Sequence, residues 1–174
     1  DGLDLKAVWQ EGERRLLHKT SLLVGCDSVV RLIDFICRRP FSVSWHKNVL
    51  EILMTEVPDI LVGTSNCYLA WKNDLPAMGT MAHEVFMVYA ALFGKSDFLL
   101  RESVYMAMRD WQNLYPNEKL IALTDTFGTY SFLEGMPKEL VERWDGYRHD
   151  SMQTPEDYGY LIANFLKSHG IDPK

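Results

Sequence analysis

A single histidine, His83, stands where a short apolar run breaks off into small and polar residues, in Gly-Thr-Met-Ala-His-Glu at 79–84. This pattern predicts that His83 lies between the end of a strand and the start of a helix. Amide groups at a helix start favour anions, so an imidazole there could accept a phosphoryl group or act as acid or base. A histidine that caps the helix or lines a pocket fits equally well. A zinc protease motif is excluded because no second histidine follows four residues later.

Three further apolar runs end in the same way, at residues 63–66, 123–126 and 148–151. Small residues let a backbone approach a ligand closely. In α/β barrels and open α/β sheets, chemistry takes place at the carboxyl ends of the strands. Four such ends in one chain therefore predict an active site.

Charged residues also stand at predicted strand ends. Arg38 and Arg39 follow the first strand, and Arg148 ends a later one. Adjacent guanidinium groups can hold carboxylate or phosphate oxygens through paired hydrogen bonds, although a solvated pair at a turn is an equal alternative. Asp125 ends another strand, where its carboxylate could orient His83, accept a hydrogen bond from a heterocycle, or cap the next helix.

Common nucleotide and hydrolase motifs are missing from the sequence. It contains no G-x-x-x-x-G-K-[ST], no G-x-G-x-x-G and no G-x-S-x-G, so these classes have no motif support. The remaining histidines that we considered, His18, His46 and His169, fall in helix-like segments. We expect them at the surface or at helix ends.

The bulk composition suits a globular protein. A chain of 174 residues is long enough for one domain with a core, and its net charge of −6 argues against nonspecific binding to nucleic acid or anionic membranes. No apolar run approaches the ~20 residues of a membrane span, and no secretory signal opens the chain. We therefore expect a cytoplasmic protein. Cys26, Cys37 and Cys67 lack zinc-binding spacing and are expected to be reduced, buried thiols.

Strand-like and helix-like segments alternate along the chain, which predicts an α/β fold with a parallel sheet and flanking helices. Helices are expected over residues 4–24, from Ser42 or Ser44 to about 55, over 66–73, and after Thr154 until Gly170. Five strands are expected at 30–36, 60–62, 76–80, 119–124 and 144–148. A closed barrel of eight strands usually takes about 250 residues. The sequence therefore predicts a partial, irregular (βα) barrel-like sheet of about five strands.

A long helical region is predicted before Pro116. Its apolar residues recur at helical spacing and should share one buried face: Leu100, Val104, Ala107, Met108, Trp111 and Leu114.

Five segments together resemble the nicotinate phosphoribosyltransferase family, in the right order along the chain. They are residues 34–39 (Asp-Phe-Ile-Cys-Arg-Arg), 63–66 (Gly-Thr-Ser-Asn), 79–84, 123–129 (Leu-Thr-Asp-Thr-Phe-Gly-Thr) and 146–151 (Gly-Tyr-Arg-His-Asp-Ser). The similarity runs over nearly all of residues 28–172. An ordered set of five segments is far more specific than any one of them.

The resemblance implies an enzyme that joins nicotinate to phosphoribosyl pyrophosphate, giving nicotinate mononucleotide for NAD synthesis, with ATP hydrolysis coupled through a phosphohistidine. By resemblance, His83 carries the phosphate, Asp125 assists it, and Arg38, Arg39 and Arg148 hold the nicotinate carboxylate and the phosphates. Other substrate-binding residues implied in this way are Thr64, Ser65, Asn66, Thr80, Asp150 and Ser151.

The resemblance also implies the wider setting. Mg²⁺ would arrive with ATP and phosphoribosyl pyrophosphate, without a dedicated metal site. The family works as a homodimer, and residues 1–174 would form one domain, a central segment of a larger α/β-barrel enzyme.

The sequence departs from the family pattern at several positions. Ile36 and Cys37 replace Gly-Thr, Pro40 replaces a third arginine, Tyr130 replaces an aspartate, and residues 152–154 replace Gly-Asp-Pro. These departures favour an alternative hypothesis, in which a truncated or degenerate relative acts as a non-catalytic nucleotide-binding or assembly module. The intact His83 and the intact strand-end arginines favour the enzyme.

Overall fold

The structure is a computed structural model that describes residues 4–26, 30–151 and 154–173. It divides into two compact units, residues 1–79 and 80–174. Each unit contains a two-stranded parallel sheet with helices packed around it. The predicted α/β class is confirmed, and the described residues form no closed barrel. A single domain over residues 1–174 stays a prediction.

The first unit contains three helices and two strands in the described part of the chain: α1 (Leu5–Val24), β1 (Leu32–Asp34), α2 (Val43–Glu56), β2 (Leu61–Thr64) and α3 (Cys67–Lys72). Polar side chains accept hydrogen bonds from backbone amides at all three helix starts, with Asp4, Ser42 and Asn66 as the N-caps. These three helices confirm the predictions over 4–24, 42–55 and 66–73.

The strands β1 and β2 run parallel, and Asp34 pairs with Thr64 at their carboxyl ends. A small apolar core lies beneath them: Val49, Leu50, Leu53, Val57, Leu61 and Leu69. The strand predicted at 76–80 is reduced to a single bridge between Thr64 and Ala77. A Cβ on Gly63 would lie 2.5 Å from the carbonyl oxygen of Pro76, so this glycine serves a close approach within the chain rather than to a ligand.

The second unit contains five helices and two strands among its described residues: α4 (His83–Phe93), α5 (Asp97–Leu114), β3 (Ile121–Leu123), α6 (Thr129–Glu134), α7 (Lys138–Arg143), β4 (Gly146–Arg148) and α8 (Pro155–Ser168). The long helical region is therefore two helices, separated at Gly94 and capped again by Ser96. Thr154 caps α8 as predicted, and Gly170 follows its end with a φ of 75°.

The strands β3 and β4 also run parallel, with Leu123 opposite Arg148. Residues 124–126 and 149–151 therefore leave the sheet at the same edge. On α5, Ala107 and Met108 are fully buried, but Leu100 and Leu114 at the ends of the predicted stripe are exposed. The core of this unit combines α5 with β3, α6 and α7.

Two expectations about burial are wrong. His46 is 1% exposed rather than at the surface, whereas His18 is exposed as expected. The thiols of Cys26, Cys37 and Cys67 are free but exposed rather than buried. Within the described residues, none of the helices combines the length and apolar character needed to cross a membrane.

Candidate active site

His83 is the first residue of α4 and directly follows the segment 79–82. Ala82, the N-cap residue, supplies no side-chain hydrogen bond to the helix start. The hydroxyl of Thr80 donates to the carbonyl oxygen of Ile121 at 2.8 Å, which fastens the segment to β3. Ile121 is the first residue of β3, so Thr80 ties the segment before His83 to this strand. The contacts of His83 with Asp125 and Thr126 place its ring beyond the carboxyl end of β3.

Three side chains from the loops after β3 and β4 surround the imidazole. Nδ1 of His83 lies 2.9 Å from the hydroxyl of Thr126. Nε2 lies 3.1 Å from Oδ2 of Asp150 and 3.9 Å from Oδ1 of Asp125. The side chain of His83 is 35% exposed, so the ring is held on two sides and still open to solvent.

The side chain of Asp125 is only 4% exposed, against 42% for that of Asp150. Its Oδ2 accepts a hydrogen bond from the Ser151 hydroxyl at 2.5 Å. Its Oδ1 is buried and has no hydrogen-bond partner among the described residues. Because an unsatisfied buried oxygen is costly, this atom is a natural acceptor for a proton or ligand.

Arg148 bridges the two sides of the site. Its Nη1 donates to the carbonyl oxygen of Met81 at 3.2 Å, and its Nη2 donates to Oδ1 of Asp150 at 3.1 Å. The pKa of Asp150 is lowered, first by the hydrogen bond from His83 and then by the positive charge of Arg148. Asp150 is therefore a carboxylate at neutral pH.

These contacts fix the position of the proton on a neutral His83 ring. Since Asp150 is an acceptor, Nε2 must carry the hydrogen that lies between them. Nδ1 then holds the lone pair and accepts the hydrogen bond from Thr126. The arrangement has a basic nitrogen on one side of the ring and two carboxylates on the other.

The predicted binding residues 64–66 of the first unit differ in whether their side chains already make hydrogen bonds within the chain. Thr64 is fully buried, and its hydroxyl donates to Oδ2 of Asp34 at 2.6 Å. The side chain of Asn66 caps α3. The hydroxyl of Ser65 is buried without a hydrogen-bond partner in the described part of the chain. Ser65 is thus the one of the three whose side-chain hydroxyl is still available to a ligand.

Arg38 and Arg39 lie in the turn after β1, where the amide of Arg39 donates to the carbonyl oxygen of Ile36 at 3.0 Å. Both side chains are exposed, and neither guanidinium group has a partner among the residues described. They are available for an anion, but they also match the solvated pair that the sequence left open.

Two parts of the polar framework were missed in the sequence. Thr126 stands one residue beyond Asp125 at a strand end, and its position in Thr-Asp-Thr was the available signal. His46 precedes Val49, Leu50 and Leu53 by three, four and seven residues, so helical periodicity placed it on the buried face of α2.

His83, Asp125 and Asp150 also form a group whose potential metal ligands lie within 4.8 Å of one another. The same three groups are also chemically suited to transfer a proton and to stabilise charge. The expectation of no dedicated metal site stays a prediction.

A sequence profile described as the nicotinate phosphoribosyltransferase (NAPRTase) family matches residues 30–174. This match covers most of the chain and includes every residue of the site. The chain belongs to the NAPRTase family.

Solved structures of nicotinate phosphoribosyltransferases are similar to this NAPRTase-family chain. The enzyme from Vibrio cholerae is 31% identical with a TM-score of 0.82, and the match covers 95% of this chain and 38% of that one. The enzyme from Porphyromonas gingivalis is 30% identical with a TM-score of 0.81, covering 95% and 41%. A putative nicotinate phosphoribosyltransferase from Saccharomyces cerevisiae is 28% identical with a TM-score of 0.74, covering 92% and 38%.

This NAPRTase-family chain thus spans about two fifths of the length of the solved structures that it matches. The residues that depart from the family pattern differ in their exposure to solvent. Tyr130 is 67% exposed on α6, Cys37 is exposed, and Ile36 and Pro40 are half-buried. Met152 and Gln153 lie outside the described residues.

Proposed function

We propose that this chain takes part in the synthesis of nicotinate mononucleotide from nicotinate and phosphoribosyl pyrophosphate, with ATP as the phosphoryl donor to His83. Membership of the NAPRTase family supports the reaction. The contact set of His83 supports the phosphohistidine step, because it pairs a nitrogen lone pair with carboxylates across the ring. His46 also has a carboxylate at Nε2, but it is 1% exposed and therefore closed to ATP, whereas the side chain of His83 is 35% exposed.

In the proposed step, Nδ1 of His83 attacks the γ-phosphorus of ATP. The new bond joins nitrogen to phosphorus, the bond from the γ-phosphorus to its bridging oxygen breaks, and ADP leaves. The Thr126 hydroxyl, which donates to Nδ1 in the resting site, then turns to donate to an oxygen of the incoming phosphoryl group. Asp150 and Asp125 then stabilise the positive charge that the ring acquires, since both carboxylates face Nε2.

We further propose that the arginines bind the anionic substrates. Guanidinium groups suit carboxylate and phosphate oxygens because they present parallel N–H donors. Arg148 is already held in place by Met81 and Asp150. Arg38 and Arg39 are expected to act from the turn of the first unit, as the resemblance implies.

Magnesium is expected to accompany ATP and phosphoribosyl pyrophosphate. The orphaned Oδ1 of Asp125 and the carboxylate of Asp150 are hard oxygen donors that suit this ion. When bound, Mg²⁺ would neutralise phosphate charge. The residues of the chain position the ring, hold its proton on Nε2 and orient the anions.

The cytoplasmic setting, which the sequence composition predicts, and the homodimer, which the resemblance implies, are proposals as well. Sedimentation of the purified chain over a range of concentrations tests the dimer. A species with the mass of two chains supports it, and a strict monomer contradicts it.

To test the function, the full chain is incubated with nicotinate, phosphoribosyl pyrophosphate and ATP, and the formation of nicotinate mononucleotide is followed. We expect product with wild type and with His18→Gln, which makes the same chemical change on an exposed face of α1. His83→Gln should lose ATP-dependent product formation. A folded wild-type chain that binds ATP but forms no product would contradict the proposed enzymatic activity. It would favour the alternative, a non-catalytic nucleotide-binding module.

A further inference from the structure

Four polar side chains form a buried network in the first unit. Oδ2 of Asp34, at the end of β1, lies 2.6 Å from Nε2 of His46 on α2 and accepts the Thr64 hydroxyl at 2.6 Å. Nδ1 of His46 lies 3.4 Å from Nδ2 of Asn66. Asp34, His46 and Thr64 are at most 5% exposed, so water does not compete for these bonds.

The hydrogen bonds determine how the network is protonated. Asp34 accepts from the Thr64 hydroxyl, and its carboxylate therefore takes the Nε2 hydrogen of His46. The amide of Asn66 cannot be turned around freely, because its Oδ1 accepts from the backbone amide of Leu69 as the cap of α3. Its Nδ2 must then donate to a bare Nδ1, which leaves His46 with one proton, on Nε2.

The network also fixes the backbone of the strand ends. The amide of Ser65 donates to the carbonyl oxygen of Asp34 at 2.7 Å, and the amide of Asn66 donates to Oγ1 of Thr64 at 3.1 Å. These bonds set the direction in which the chain leaves β2 at Ser65. They also fix Asp34, from which the chain leaves β1 toward Arg38.

We propose that His46 is a positioning residue, which acts through Asp34 and Asn66 to hold the segment 64–66 in its substrate-binding conformation. This inference rests on the proposed function, because residues 64–66 are expected to contact substrate. His46 itself is buried and touches neither substrate nor a reacting atom. Its effect is to orient the buried Ser65 hydroxyl, whose hydrogen bond is unmade in the described residues.

A purely space-filling role makes a different prediction. If His46 only fills space, an apolar side chain of comparable size can pack in its place. His46→Leu would then keep the segment 64–66 unchanged. In the proposed role it removes the imidazole donor to Asp34 and the acceptor for Nδ2 of Asn66, and the segment shifts even where the core still packs.

The first test is a nitrogen–proton correlation spectrum of the imidazole rings in the wild-type chain. We expect His46 to be protonated on Nε2 alone, with a cross-peak that is shielded from exchange with water. A proton on Nδ1, or rapid exchange of the Nε2 hydrogen, would overturn the proposal. This readout does not depend on catalysis.

The second test compares three variants in the full chain. His46→Gln keeps an amide donor for Asp34, His46→Leu removes it, and Leu53→Ala destabilises the same helix through an apolar core residue. We expect the amide resonances of Ser65 and Asn66 to move in His46→Leu and to return toward wild type in His46→Gln. Equal shifts in Leu53→Ala and His46→Leu would reduce His46 to a structural role.

Substrate kinetics complete the test. His46→Leu should raise the KM for nicotinate about tenfold or more with a smaller change in kcat, because a misplacement near 1 Å can cost ~100-fold. His46→Gln should restore much of the KM, and an unrestored KM would contradict the positioning role. A wild-type chain without turnover overturns the proposed function instead, while the tautomer and the amide shifts still decide the role of His46. If His46→Leu does not fold, the amide resonances of Ser65 and Asn66 and the KM for nicotinate are measured in Asp34→Asn instead.

Discussion

Oδ1 of Asp125 lies 3.9 Å from Nε2 of His83, and no described donor makes a hydrogen bond to it. A buried carboxylate oxygen that lies beside an imidazole can stabilise the positive charge that the ring acquires when a phosphoryl group is transferred to it. The unpaired Oδ1 of Asp125 is therefore placed where it can stabilise the phosphorylated ring of His83.

Asp125→Asn removes that negative charge with little change in shape. We expect phosphorylation of His83 to slow about 100-fold, because the ring loses the buried carboxylate that stabilises its positive charge. The measurement is the rate of acid-labile phosphate incorporation from ATP. Asp59→Asn is the matched control, since Asp59 is exposed in the first unit. Equal rates in the two variants would contradict the role of Asp125.

Thr126 orients the ring from the other side through its hydroxyl at 2.9 Å from Nδ1. Thr126→Val has nearly the same shape but no hydroxyl, so we expect the same labelling rate to fall about tenfold, the value of a typical net hydrogen bond. Thr126→Ser keeps the hydroxyl and should label nearly as fast as wild type. A fast Thr126→Val would show that the hydroxyl has no part in orienting His83.

Acid should weaken the site through Asp150. The pKa of this carboxyl lies below its ordinary value of 3.8, chiefly because His83 donates to it and also because Arg148 is near. A carboxyl with a lowered folded pKa stabilises the fold above its unfolded pKa and loses that contribution as the pH falls through the folded value. The free energy of unfolding of the wild-type chain, measured in urea, should therefore fall below about pH 4.

The comparison for that titration is Asp150→Asn, which lacks the carboxyl group. Its free energy of unfolding should depend less on pH over the same acidic range. Identical acid profiles would mean that the contacts of Asp150 with His83 and Arg148 are not maintained in solution.

Strong base should destabilise the second unit through the phenols of the buried Tyr105 and the half-buried Tyr147. Burial raises the pKa of Tyr105 and of Tyr147 to about 12 each, and the Tyr105 hydroxyl donates to the carbonyl oxygen of Phe132 at 2.8 Å. An unfolded tyrosine ionises near 10, so stability should fall as the pH rises from about 10 to about 12. Tyr105→Phe should show a shallower fall than the exposed control Tyr160→Phe, as followed by unfolding in base. Parallel curves would contradict this.

Gly128 sets the loop that carries Thr126, with a φ of 105° and open space where a Cβ would be. Gly128→Ala should cost about 1–3 kcal/mol because an L side chain strains this conformation, although nothing blocks it. Gly159→Ala places the same methyl group in open space within α8 and should stabilise by about 0.5–1 kcal/mol. Chemical denaturation measures both, and a neutral Gly128→Ala would mean that the positive φ is not kept.

Much of the framework could be predicted because local signals decide it. Ser42 and Thr154 mark helix starts through their own hydroxyls, which need no knowledge of the tertiary fold. The gathering of Asp125 and Asp150 also followed from sequence, since parallel strands bring their carboxyl ends to one edge. The resemblance supplied the chemistry that these patterns leave open.

The missed features depend on tertiary pairing. His46 was expected at the surface or at a helix end because it falls in a helix-like segment. Asp34 and Asn66, from distant segments of the chain, instead hydrogen-bond to it inside the unit. The strand expected at 76–80 has a partner only at Ala77, so its apolar residues did not extend a sheet. The break between α4 and α5 had a signal in Gly94 and Ser96, which the strong apolar content of the region outweighed.

The most direct test of the central claim is the mass of the purified chain after incubation with ATP. The account predicts the gain of one acid-labile phosphoryl group, located on Nδ1 of His83 and absent from His83→Gln, with His18→Gln labelled like wild type. A folded wild-type chain that gains no phosphate, or gains it on another residue, would contradict the account.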